Sequence, residues 1–341
     1  MAAGRKRLLA GSRASVQRGV TLIELMVALT LGLMVTAALL LLFANASAHG
    51  QDLARTGMQI ENGRYVSELL REDLRLAGFY GETSVNGATY TQTDPCSTAP
   101  TGWGGAPLTL PAPVSGFAAT EALGCLANRR AGTAALLVRR VGVDAVAPGT
   151  LASGNAQFHV QYSYCVADVS SPRLVFATDP ALFTLRNRAC TGANLVRPYL
   201  SRLYYIADCN RCGTGGDSLP TLKRVDLVGN TLVTTALAEG VEMLSFEYGF
   251  DLNGDGTPDA YRTGLHPDPT NPAAVWSNVV ALKVHFITRS LDKATNPQLA
   301  PAQTFQLGDA GAVSTSADGY TRKVYSNAIR LVNPSASREA Q

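Results

Sequence analysis

Two groups of residues have types and spacing that could do chemistry. The first is the set of six cysteines, Cys96, Cys125, Cys165, Cys190, Cys209 and Cys212. In an oxidising compartment an even count suggests up to three disulfides, for which fifteen connectivities exist. Sequential pairing is the working expectation. Cys209 and Cys212 also have the spacing of half a zinc site, but the chain has no second C-x₂-C, which favours a disulfide. The second group is the alternating run Asp251, Asn253, Asp255, Thr257 and Asp259, with Gly256 for the turn. Oxygens at alternate residues can converge on one calcium ion, as in the first nine positions of an EF-hand loop. Position twelve is Arg262, not the bidentate Glu, so a further carboxylate or water would have to complete the shell. An Asx-rich turn without metal accounts for the same residues.

Catalytic sets are not evident. The chain has no G-x-S-x-G, H-E-x-x-H or G-x-x-x-x-G-K-[ST] run, so no enzyme is expected. His49, His159, His266 and His285 have no nucleophile near them in sequence, and the Gly213–Asp217 glycine run reads as a loop. No basic stripe interleaves with aromatics, so no nucleic-acid partner is expected.

These groups need a scaffold. With 341 residues, 46% hydrophobic and 16% charged, the chain can build one large or two smaller domains. Its 32 glycines follow no triplet period, which excludes a collagen-like chain. The 29 basic and 26 acidic residues are unevenly placed. Residues 1–19 hold Arg5, Lys6, Arg7, Arg13 and Arg18 and no acid, and from Leu25 to Gln51 there is no charged residue. About 20 apolar helical residues cross a bilayer, so this stretch can span one, and the basic flank orients the N-terminus toward the cytoplasm. Glu24 lies one turn into that apolar helix. A carboxylate in lipid costs roughly 2.5–3.5 kcal/mol, so it calls for a functional explanation.

Helical spacing continues through Leu53, Ile60, Val66, Leu70, Leu74 and Ala77, with Gly78 as a C-cap candidate. Residues 82–116 read as irregular. Strands are expected at Leu136–Val141, Phe158–Val166, Leu203–Ala207, Leu244–Phe250 and Val280–Phe286. A hairpin is expected from Val225–Val228 through Gly229-Asn230 to Thr231–Thr234. One long helix before many strands predicts an α+β fold, a sheet laid on the helix.

The run Arg18-Gly19-Val20-Thr21-Leu22-Ile23-Glu24-Leu25 resembles the class III signal of type IV prepilins and pseudopilins. The resemblance implies that prepilin peptidase cuts between Gly19 and Val20, that Val20 becomes the N-methylated mature N-terminus, and that the helix is retained. Glu24 would then neutralise the α-amine of a neighbouring subunit when helices stack. In low dielectric such a pair is strong and an unpaired member costly. Losing the leader removes five of the 29 basic residues and none of the 26 acidic ones, turning a charge of +3 into −2. Further along, Phe246–Asp251, Trp276–Val279, Arg322–Ser326 and Ile329–Leu331 resemble the C-terminal half of the PilW family of minor pilins.

That resemblance implies a type IV pilin-like fold with the following parts: leader 1–19, transmembrane half-helix 20–44, amphipathic half-helix 45–78, β-rich globular domain 79–334 and flexible tail 335–341. It implies a single-pass inner-membrane protein with a periplasmic domain, later incorporated in the pilus at the cell surface. Its partners would be prepilin peptidase, other minor pilins and the major pilin, and its role pilus assembly or priming near the tip. A minor pseudopilin of type II secretion and a tip adhesin are the alternatives.

Overall fold

The computed structural model describes residues 19–81, 85, 88–105, 108–168, 173–263, 276–294, 298 and 300–340. The leader up to Arg18 and His266 lie outside the described residues. The chain divides into two compact units, Met1–Leu53 and Ala54–Gln341. Helix α1 runs from Leu22 to Arg75.

Of the described residues the first unit holds 19–21 and the apolar part of α1, and none of them is buried. Leu22 is 78% and Phe43 74% exposed, and this stretch is long and apolar enough to cross a membrane.

In the second unit the remainder of α1 buries Gln59, Gly63, Val66, Leu70, Asp73 and Leu74. The i, i+4 spacing of Val66, Leu70 and Leu74 puts all three on one face. The helix ends at Arg75, and Gly78, at φ +69°, turns the chain into the sheet. Its N–H donates to the Arg139 carbonyl at 2.9 Å.

The strands in chain order are β1 (Thr89–Thr91), β2 (Thr109–Pro111), β3 (Val114–Phe117), β4 (Ala135–Val141), β5 (His159–Tyr162) and β6 (Leu174–Ala177). Next come β7 (Val196–Ala207), β8 (Thr221–Val228), β9 (Thr231–Glu239), β10 (Val241–Phe250) and β11 (Ala260–Arg262). The last are β12 (Val279–Arg289), β13 (Gln303–Gln306), β14 (Ala312–Thr315) and β15 (Arg322–Arg330), followed by helix α2 (Val332–Glu339). One sheet has the order β11-β10-β12-β15. A seven-stranded sheet runs β3-β4-β7-β5-β6, with β8 also on β7 and β9 on β8. All ladders of these two sheets are antiparallel. This is the α+β, pilin-like architecture.

Alternation fixes the register. Leu244, Phe246 and Tyr248 pair with Phe286, Val284 and Leu282 and face one core, which also holds Leu70, Leu74, Val138 and Tyr204. A one-residue slip would turn every one of them outward. The Gly229-Asn230 hairpin forms as the sequence predicts. Gly229 takes φ +62°, which the first central residue of a type II′ turn requires.

Several expectations need correction. Residues 82–116 contain β1, β2 and β3; their strands are too short for periodicity to register. The run Phe158–Val166 narrows to His159–Tyr162, because Cys165 leaves the ladder to bond Cys190. The tail expected at 335–341 is largely helix α2, in which Ser335 is fully buried.

Candidate assembly site

At the start of α1, Gly19 and Val20 are exposed and precede the helix. Thr21 and Glu24 then form a capping box. The Thr21 N–H donates to Glu24 Oε2 at 3.1 Å, the Thr21 hydroxyl donates to the same oxygen at 3.0 Å, and the Glu24 N–H donates back to Thr21 Oγ1 at 3.3 Å. Such a box satisfies amides that the first helical turn leaves without carbonyl partners. The T-x-x-E spacing at 21–24 signals this cap in sequence, and the reading of Glu24 as a counter-charge alone missed it. Within one chain, Glu24 is held by its own cap, and from Leu25 to Gln51 the helix offers no Lys or Arg to pair with it.

The lower part of α1 is fastened to the body by polar groups that sequence did not single out. Asp73, 4% exposed, accepts from Arg140 Nε at 2.8 Å, Arg202 Nη1 at 2.7 Å and the Tyr204 hydroxyl at 2.8 Å. Burial and the Asp73 charge together push the Tyr204 hydroxyl's pKa well above its ordinary value. Gln59 donates to the Thr288 carbonyl at 2.8 Å and the Thr321 carbonyl at 3.1 Å. The Tyr325 ring lies over Gly63 so closely that a Cβ there would fall 2.1 Å from it, and the ring stacks on Phe286 at 5.0 Å. Gly63 is thus a seat for an aromatic ring, although its sequence reads only as a weak point in a helix.

The acidic loop lies against α2. Asp251, with no exposed surface, accepts from the Gly254 N–H at 2.6 Å, the Gly256 N–H at 3.0 Å and Arg338 Nε at 3.0 Å. Burial alone would raise its pKa, but Arg338 and the two amides hold it below the ordinary value. Asp255 accepts from the Thr257 N–H at 2.7 Å and the Thr257 hydroxyl at 2.6 Å. Asp259 accepts from the Leu252 N–H at 2.7 Å and the Asn253 amide at 3.3 Å. Among the described residues no group of three or more His, Cys, Asp or Glu is placed to hold a metal ion. The positive charge beside Asp251 is Arg338, and Ser335 donates to the Gly256 carbonyl. The loop residues as arranged do not fit a calcium shell.

The six cysteines form Cys96–Cys125, Cys165–Cys190 and Cys209–Cys212. His285 does have a hydroxyl neighbour, which sequence distance concealed. Its Nδ1 lies 2.8 Å from Ser326 Oγ and its Nε2 2.9 Å from Glu247 Oε1. Glu247 also accepts from Lys283 Nζ at 3.0 Å and the Asp309 N–H at 3.0 Å. These side chains come from adjacent positions on β10, β12 and β15, a cross-strand polar row that ties the three strands together.

A leading apolar helix on a β-rich body fastened by its lower turns defines the class of type IV pilin-like proteins. Residues 203–333 match the family model described as Type IV Pilus-assembly protein W (PilW), and residues 15–40 match the prokaryotic N-terminal methylation motif. Together the two matches support a PilW-type minor pilin and involvement in type IV pilus assembly. No curated protein and no solved structure matches significantly. The methylation motif and the apolar helix are consistent with membrane anchoring.

Proposed function

We propose that this chain is a minor pilin that primes type IV pilus assembly near the tip, acting by helix packing without turnover. Prepilin peptidase cuts between Gly19 and Val20, and Val20 is then N-methylated. Until assembly the mature protein stays in the inner membrane, its body in the periplasm. Helix packing with other minor pilins and the major pilin then carries it into the filament at the cell surface.

One observation carries this reading. The first unit exposes the apolar part of α1 over its whole circumference, and the carboxylate at its start, Glu24, bonds only its own cap residue Thr21 among the described residues. Such a helix needs lipid or other helices around it. A carboxylate moved from Thr21 to a neighbour's α-amine would exchange a hydrogen bond for an ion pair in low dielectric. Glu24→Ala is expected to insert normally yet fail to co-purify with other pilins from detergent-solubilised membranes. Unchanged co-purification would refute the pairing. Deletion of the gene is expected to abolish surface pili altogether; pili that persist without adhesion would favour the adhesin.

Calcium remains a proposal for the Asp251–Asp259 loop in one form only: the ion would have to displace Arg338 from Asp251. Calorimetric titration with calcium, repeated on Arg338→Ala, tests it. Absence of heat in both proteins would remove calcium from the account.

A further inference from the structure

Of the three disulfides, two close long loops, with sequence separations of 29 and 25, and one closes a separation of 3. In the chain-entropy account a cross-link restrains the unfolded chain more as its loop lengthens, so Cys209–Cys212 contributes least to stability of the three. Its surroundings are also unlike those of a purely structural bridge. Cys209 is 8% exposed at the end of β7, whereas Cys212 lies in the exposed run 211–216. One sulfur can be attacked from solvent and the other is shielded.

Lys223 on β8 is 8% exposed, and its Nζ donates to Cys212 Sγ at 3.4 Å. Among the described residues no carboxylate forms an ion pair with it. A buried ammonium without a carboxylate is costly, and that cost falls if the sulfur beside it becomes a thiolate. Burial accordingly pushes the Lys223 pKa down, against a weaker opposing pull from Asp217. The loop does not depend on the disulfide for its shape. Asp217 accepts from the Asn210, Arg211 and Leu219 N–H groups at 2.7, 3.0 and 3.2 Å, so the two sulfurs stay close when the bond between them opens.

We propose that Cys209–Cys212 is a site of reversible thiol–disulfide exchange with a dithiol, in which Lys223 stabilises the Cys212 thiolate. A thiolate of the dithiol attacks Cys212 Sγ, forming a mixed disulfide and breaking the Cys209–Cys212 bond. The electron pair leaves on Cys209 Sγ, which takes up a proton. The second thiolate of the dithiol then attacks its own sulfur in the mixed disulfide and releases Cys212 as a thiolate beside Lys223 Nζ. The dithiol is oxidised to a disulfide, and its two electrons reside on Cys209 and Cys212. Stabilising the released thiolate favours the reduced form and raises the reduction potential.

The test equilibrates the full-length protein in detergent with graded ratios of reduced to oxidised dithiothreitol. Free thiols are trapped by alkylation and assigned to each cysteine by peptide mass spectrometry. Cys209 and Cys212 are expected to be labelled at ratios that leave the other four cysteines oxidised. Lys223→Met should lower the equilibrium constant for their reduction about tenfold, which corresponds to ~30 mV, and Lys223→Arg should restore it. Opening of all three bridges together, or of Cys209–Cys212 last, would overturn the proposal. A Lys223→Met protein that keeps the other two bridges but has the wild-type constant would overturn the role of Lys223. If that variant does not fold, the order of opening in the wild-type protein decides the matter alone.

Discussion

Helix α1 has two halves with opposite requirements. Over Leu22–Leu53 no side chain is buried. Over the turns from Ala54 to Arg75 a stripe of six residues is buried, and two of its polar members, Gln59 and Asp73, bond the body directly. One secondary structure therefore serves two solvents. The upper half is complete as a helix and incomplete as a surface; the lower half is complete as both. Stability of the body and capacity for assembly should thus respond to different substitutions.

The largest expected effect is in the lower half. Asp73→Ala would leave the buried Arg140 without its carboxylate and Arg202 with only Asp226, 3.5 Å away, and breaking a buried pair in this way costs about 3–5 kcal/mol. The body should lose its cooperative thermal transition in detergent; a transition near the wild-type temperature would show that the fastening is not electrostatic. Next, Gly63→Ala should destabilise by about 1–3 kcal/mol, since the added methyl overlaps the Tyr325 ring. Gly57→Ala meets nothing within 4 Å and should stabilise by up to about 1 kcal/mol through helix propensity. The opposite signs, read by thermal denaturation, mark where the helix changes from free to docked.

A smaller effect concerns acid. Arg322 grips Asp318 with Nη1 to Oδ1 at 2.8 Å and Nη2 to Oδ2 at 2.6 Å, holding its carboxyl at about 2 against an ordinary 3.8. A depressed carboxyl pKa stabilises the fold above the unfolded value and ceases to do so as pH falls through the folded one. The body should therefore lose roughly 1–2 kcal/mol, after allowance for solvent screening, between pH 4 and pH 2. Asp318→Asn should flatten that slope in acid denaturation. Smallest of all is Glu24→Ala, which should leave the thermal transition of the body unchanged while abolishing co-purification with pilins. A large shift in the body's stability would mean that the two halves are not independent.

Much of this was legible in the residues. The uncharged run from Leu25 to Gln51, the Gly19–Glu24 signal and the alternation in β10 and β12 are local patterns, written in consecutive residues. The Gly229-Asn230 turn was equally plain. Other features were not, because their partners are remote in sequence. Asp73 gives no local sign of meeting Arg140 and Arg202, and His285 gives none of meeting Ser326. The acidic loop teaches the same lesson in reverse. Its alternating oxygens suggest a cation, yet the folded chain brings Arg338 to Asp251 from 87 residues away.

By itself the sequence determined the apolar helix, its basic leader, its single carboxylate and the alternating strands, because hydropathy, charge and period are properties of neighbours along the chain. Only the tertiary structure decided which half of the helix is fastened, which cation stands beside Asp251, and which sulfur lies against Lys223. Each of these is a meeting of residues far apart in sequence, and its energy comes from burial and from distances of about 3 Å that only the packed fold brings about.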